Sequence, residues 1–243
     1  MTKLMSGVVF PRAPVCALDV GLALMPCTAL PTLVFDMDGV LFESVHRKLL
    51  AMLAVFPESD RVRLEPVVLS LSGVPRLAKL RHVFTSAYGR APKKNELEVA
   101  LDNYERNLGQ FAEQPAPLVK GIASFLQSIE TQSYVASSAP QAEVFRQLSQ
   151  AGLIHHFSGV FGSPTTKTEA LREVRRRHPS GSIVFFGDAR ADQVAANSVG
   201  TAFVGVSAES NQFPDKEVTT IPHFENIAVV DAAIRLVLCK SMS

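Results

Sequence analysis

The run Thr32-Leu33-Val34-Phe35 ends abruptly at Asp36-Met37-Asp38-Gly39-Val40. It is apolar on both faces rather than alternating, which is how a strand buried inside a parallel sheet reads. Spaced by two, the Asp36 and Asp38 carboxylates point the same way off the strand's carboxyl end. Open α/β sheets place their ligands at that edge. Two anions held together are costly unless a cation or a shared proton offsets them. The pair therefore predicts a Mg²⁺ and acid–base site on an α/β sheet.

After Gly39-Val40-Leu41-Phe42-Glu43-Ser44 a helical pattern runs from Val45 to about Phe56, and Pro57-Glu58-Ser59-Asp60 breaks it. Further helical stretches follow at about Arg61–Leu71, Pro75–Tyr88 and Lys93–Phe111, punctuated by Ser72-Gly73-Val74 and Gly89-Arg90-Ala91-Pro92. No strand pattern interrupts this block, and Gln114-Pro115-Ala116-Pro117 reads as a hinge or linker. From Leu118 the texture changes. Helices at Val119–Glu130, Gln141–Ala151, Lys167–Arg177 and Ala191–Val199 alternate with strands at Ser133–Ser137, near Val160, at Ser182–Phe186 and at Thr201–Val206. Phe224–Leu238 is a last helix. That rhythm implies βαβ units and an α/β fold. The expectation is a Rossmann-like parallel sheet with helices on both faces and an inserted all-α cap. The expected division is a leader or extension at 1–30, a core at 31–43 and 115–243, and the helical cap at 44–114.

Net charge is +1 over 243 residues, with 47% hydrophobic and 19% charged residues. This profile excludes a disordered chain and carries no broad electrostatic footprint for nucleic acid. Arg175-Arg176-Arg177-His178 lies late in a helical pattern, where positive charge complements the helix dipole. Cys16, Cys27 and Cys239 form neither a metal pattern nor a disulfide framework, so a reducing, cytoplasmic setting is expected. Gly7–Leu30 is mostly apolar, but Pro11, Arg12, Pro14, Asp19 and Pro26 interrupt it, and no membrane span is expected. A secretory signal ending near Cys27-Thr28-Ala29 is the alternative to a plain leader.

Each core strand ends in polar groups. Ser137-Ser138 closes one, and Gly187-Asp188 closes another with Asp192 shortly after. Lys167 opens a helix between them. These groups converge at the carboxyl edge of one sheet. Asp36 and Asp188 are placed to share Mg²⁺, a cation that favours hard oxygens. A serine hydroxyl and an ammonium suit phosphate oxygens, and Gly39 lets backbone N–H groups approach the same anion. For Lys167 a role is needed because positive charge at a helix start opposes the dipole. Lys79 and Arg47 read as solvated.

In order and separation, Asp36-Met37-Asp38-Gly39-Val40, Ser137, Lys167 and Gly187-Asp188 with Asp192 resemble the motifs of the haloacid dehalogenase superfamily, over about Leu33 to Val206. The helical block resembles that superfamily's α-helical cap of the first type. Within it, Leu71-Ser72-Gly73-Val74-Pro75-Arg76 is similar to the substrate-specificity loop of β-phosphoglucomutase-like and phosphatase members. The resemblance implies that Asp36 is a nucleophile forming an aspartyl-phosphate, and that Asp38 is the acid and base, with a pKa raised by its neighbouring carboxylate. It implies Mg²⁺ held by Asp36, the backbone carbonyl of Asp38, Asp188 and Asp192, and phosphate held by Ser137, Lys167 and Gly39. Arg76 is the expected substrate contact from the cap.

Dehalogenase and phosphonatase members carry a different residue where Asp38 stands, so Asp38 argues for phosphate-ester chemistry. Mutase members usually have histidine twelve residues after the nucleophile, where this chain has Lys48. The resulting expectation is a Mg²⁺-dependent phosphohydrolase of a small phosphorylated metabolite, monomeric or homodimeric. A phosphosugar mutase and a catalytically silent binding protein are the alternatives.

Overall fold

The computed structural model describes residues 30–111, 116–206, 213–215 and 217–241. The proposed leader therefore lies, but for Leu30, outside the described residues, as do Gln114 and Pro115 of the linker. The elements are β1 (Thr32–Phe35), α1 (Val45–Leu53), α2 (Glu58–Ser70), α3 (Arg76–Tyr88), α4 (Lys94–Gly109), α5 (Ile122–Ser128), β2 (Ser133–Pro140), α6 (Gln141–Gln150), β3 (Gly159–Ser163), α7 (Lys167–Arg177), β4 (Ile183–Gly187), α8 (Arg190–Val199), β5 (Ala202–Val206), β6 (Thr220–Ile221) and α9 (Ile227–Ser241). Among the described residues no helix is long and apolar enough to cross a membrane.

The six strands form one sheet in the order β3-β2-β1-β4-β5-β6. Every neighbouring pair is parallel. β1 lies at the point where the strand order reverses, which is where such sheets open a crevice. Successive β1 side chains serve opposite faces. Leu33 and Phe35 join α5, α6 and α9 in one buried cluster, while Val34 joins α7 and α8 in another. This double burial explains why the strand reads as a continuous apolar run. Phe35 stacks on Phe186 with ring centroids 5.1 Å apart. The two residues are partners in the β1–β4 register, and Asp36 N–H donates to the Phe186 carbonyl at 2.9 Å. Asp36 and Gly187-Asp188 thus leave the sheet side by side.

The helices α1 to α4 pack around their own apolar cluster, drawn from Leu49 to Tyr104. At the base of this block, Glu43 N–H donates to the Pro117 carbonyl at 2.8 Å and Phe42 bridges to Leu118, so the two crossings run together.

Boundaries shift where local chemistry outweighs apolar periodicity. Pro57-Glu58-Ser59-Asp60 does not separate two helices at Arg61; Pro57 caps α2 and Glu58 and Asp60 occupy its first turn. Proline is tolerated at a helix start and acids there complement the dipole. β2 continues to Pro140 through a register shift between Ala136 and Pro140, so Ser137 and Ser138 sit where the strand leaves regular pairing. The short β6 carries too few residues to show a period in sequence.

Candidate active site

Asp36 is 3% exposed at the end of β1. Its Oδ1 lies 2.9 Å from the Lys167 Nζ, an ion pair without good hydrogen-bond geometry. The same ammonium is bonded to Asp192. Lys167 is held at the first turn of α7 by a capping box. Thr166 Oγ1 accepts from Glu169 N–H at 3.2 Å, and Glu169 Oε2 accepts from Thr166 N–H at 2.8 Å. Asp192 takes the matching position on α8, accepting from Ala189 N–H at 3.0 Å. Oxygens of Asp36, Asp188 and Asp192 all lie within 4.8 Å of one another.

Burial is the main force on these groups. It pushes Asp36 up to about 7, since Lys167 only partly offsets desolvation and the repulsion of Asp192 and Asp38. Burial likewise raises Asp188 well above the ordinary carboxylate range, with Asp36 and Asp192 adding to it. Burial disfavours the Lys167 ammonium, but Asp192 and Asp36 outweigh it and hold the proton more tightly than usual. Three buried carboxylates around one ammonium can all be charged only if a further cation joins them; without it protons take its place. The donor set is all hard oxygen, and Asp36 Oδ1 has no well-aligned hydrogen bond. Both features fit a divalent cation such as Mg²⁺.

Asp38 stands apart from that cluster. Its Oδ1 accepts from Ser44 Oγ at 2.5 Å and its Oδ2 from Lys48 Nζ at 2.7 Å. Ser44 and Lys48 are four apart at the start of α1, so both face Asp38. The expected raised pKa is not found. Burial acts upward, but Lys48 and the Ser44 hydroxyl outweigh it and bring Asp38 below its ordinary value. The neighbouring Asp36 is the weaker influence because Lys48 makes direct contact. Lys48 also stands 3.2 Å from Glu143 on α6.

Gly39 has φ +79°, and a Cβ there would come 2.3 Å from Asp188 Oδ2. Only glycine lets the backbone turn this close to Asp188. Gly39→Ala is expected to cost about 2–5 kcal/mol from left-handed strain plus overpacking, read as a lower urea midpoint at unchanged slope.

Ser137 is buried, and its Oγ accepts from Ala139 N–H at 3.1 Å. Ser138 lines the cavity between core and helical block and donates to the Gly73 carbonyl at 2.6 Å. Gly73 packs closely here, since an added Cβ would meet Ala191 Cβ at 2.9 Å. Arg76 also lines the cavity, but its guanidinium is bonded to Glu143, lies 3.2 Å from Glu105 and covers the Tyr104 ring. Lys79 is half-buried rather than fully solvated as its sequence context implies. It lines the same cavity, because it lies one turn after Arg76 on α3, beside the buried Leu80 and Val83. Arg47 rests over the Phe111 ring. Sequence reasoning also missed Glu143, whose only signal was a carboxylate in the first turn of a helix following Ser137-Ser138.

The family model for haloacid dehalogenase-like hydrolases matches residues 33–206. The chain belongs to the haloacid dehalogenase-like hydrolase family. Solved structures of similar fold span nearly the whole described chain. A predicted phosphoglycolate phosphatase from Haemophilus somnus 129pt is 17% identical, with TM-score 0.65 over 85% of this chain and 100% of that one. A β-phosphoglucomutase from Clostridium difficile is 16% identical, with TM-score 0.68 over 87% of this chain and 100% of that one. A predicted phosphatase from Clostridium acetobutylicum is 17% identical, with TM-score 0.66 over 86% and 100%. No curated protein matches the sequence. At these identities the likeness concerns the fold. The motif positions Asp36, Asp38, Ser137, Lys167 and Asp188 all fall within the stretch that the hydrolase model matches.

Proposed function

We propose that this haloacid dehalogenase-like hydrolase is a Mg²⁺-dependent phosphohydrolase that releases phosphate from a small phosphorylated metabolite. The observation that carries this reading is the pairing of Asp36 with Asp38 in two different environments. One carboxylate sits in an acidic cluster against an ammonium, and the other is oriented by a hydroxyl and a second ammonium. Pairs of acids driven apart by their surroundings divide catalytic labour; in the metal-free protein Asp36 is the raised member, and a divalent cation held by its acidic cluster would bring it back to the charged form that a nucleophile needs.

In this reading an Asp36 oxygen attacks phosphorus and the ester oxygen departs with a proton from Asp38. Water then cleaves the aspartyl-phosphate while Asp38 takes its proton. In the free protein Lys48 and Ser44 keep Asp38 charged, the form suited to that second step. The first step requires the Lys48 contact to loosen as substrate enters. Lys167 neutralises charge on the phosphoryl oxygens, and Ser137 with the backbone near Gly39 completes their cradle. Asp36, Asp188 and Asp192, with the Asp38 carbonyl, would hold Mg²⁺, which supplies charge neutralisation at the phosphoryl group. The cavity, about 80 Å³, suits a compound of few heavy atoms.

The test is phosphate release across a panel of phosphometabolites with Mg²⁺ and with chelator. Free phosphate that requires Mg²⁺ supports the reading; an isomerised phosphosugar without free phosphate sinks it. Mg²⁺ is also expected to raise the melting temperature of the wild type, and Asp188→Asn is expected to lose most of that rise. An equal rise in both proteins contradicts the assigned metal ligands.

A further inference from the structure

The cations lining the cavity are Lys48, Arg76, Lys79 and Lys167. Three of them already have carboxylate partners. Lys48 faces Asp38 and Glu143, Arg76 faces Glu143 and Glu105, and Lys167 faces Asp36 and Asp192. Among the described residues that line the cavity, Lys79 is the cation with neither ion pair nor hydrogen bond. It stands on α3, in the helical block, while Asp36 ends β1 in the core, and it lies within electrostatic reach of Asp38, Asp188 and Lys167. Arg76, the other cation of that helix, is occupied by acids.

We propose that Lys79 reads a second anionic group on the substrate, a carboxylate or phosphate at the end remote from the ester being cleaved. The proposal rests on the phosphohydrolase reading for where the first phosphate lies. A phosphoryl group held by Lys167 beside Asp36 fills the core side of the cavity, and a short chain spans the rest. At about 80 Å³ the space holds roughly five to eight waters, so the two groups are separated by only a few atoms. Burial, with the nearby Lys48, also outweighs the more distant pull of Asp38 and Asp188 and brings the Lys79 ammonium down to about 8. An anion beside it relieves that cost, which a neutral substrate end does not.

The test uses matched phosphomonoesters with a two- or three-carbon chain: one ending in carboxylate, one in phosphate and one in an uncharged alcohol. Wild type is expected to favour a charged terminus over the alcohol by at least tenfold in kcat/KM. Whichever of the two anions gains more names the group. Lys79→Gln is expected to shrink that preference by at least tenfold, and Lys79→Arg to retain most of it. Calorimetry on Asp36→Asn, with and without Lys79→Gln, measures the same preference as binding, free of turnover. Loss of phosphate release for every ester, alongside Lys79-dependent binding of the charged esters, overturns the hydrolase reading and leaves this subsite standing. Phosphate release with a preference unchanged by Lys79→Gln overturns the subsite and leaves the hydrolase reading intact. Equal binding of charged and uncharged esters in both Asp36→Asn backgrounds also overturns it.

Discussion

Asp36→Asn is expected to lower phosphate release on the order of 10⁴-fold or more while leaving the fold intact. A loss of that size is over 5 kcal/mol of barrier, the scale seen when a covalent nucleophile is removed. Asparagine keeps the shape of the side chain but cannot form an acyl phosphate. The stability side has the opposite sign. Asp36 is a desolvated carboxylate within 4.8 Å of Asp188 and Asp192 oxygens. Replacing it with a neutral amide removes like-charge repulsion and a burial cost, though it also weakens one contact of Lys167. Without metal, the melting temperature is therefore expected to stay level or rise. Rapid-quench phosphate release and thermal melts check the two halves. A variant within tenfold of wild-type turnover rules Asp36 out as the nucleophile. A variant that is both inactive and unfolded leaves the assignment to Asp36→Glu, which keeps the charge and is expected to be inactive because the longer chain misplaces the attacking oxygen.

The parts of this site that were legible in sequence are those tied to backbone periodicity. β1 is buried on both faces, so its apolar run and its terminal Asp36 are visible together. Lys167 opens a helical pattern between two polar strand ends, and Asp188 follows an all-apolar strand paired with β1. What could not be read depends on which distant side chains meet. Arg76 and Glu143 are 67 positions apart, and nothing in either segment announces their contact. Because Glu143 occupies Arg76 and also draws on Lys48, the cation left without a carboxylate partner among the described residues lining the cavity is Lys79, which its sequence context alone marks as a surface residue. Asp38 illustrates the same point. Its neighbour in sequence, Asp36, implies a raised pKa, whereas its neighbour in space, Lys48, decides the direction.

The second large effect concerns Lys167, which has two roles that substitution can separate. It is 6% exposed, and its ammonium faces Asp36 and Asp192. Removing one member of a buried ion pair strands the other charges, at a cost of about 3–5 kcal/mol. Lys167→Met is therefore expected to lower the metal-free denaturation free energy by that amount. It is also expected to lower phosphate release by about 10²–10³-fold through loss of a donor to the phosphoryl oxygens. The double variant Lys167→Met/Asp192→Asn removes the most closely paired anion along with the cation. Asparagine can still accept the Ala189 N–H bond that Asp192 accepts at 3.0 Å, so the start of α8 is preserved. Stability is expected to recover by more than half in the double variant, while turnover stays at the level of Lys167→Met or below. That divergence is what a residue acting on the phosphoryl group requires. If turnover recovers together with stability, Lys167 is only the counter-ion of a buried acidic cluster, and the charge that stabilises the transferred phosphoryl group must come from elsewhere in the cavity.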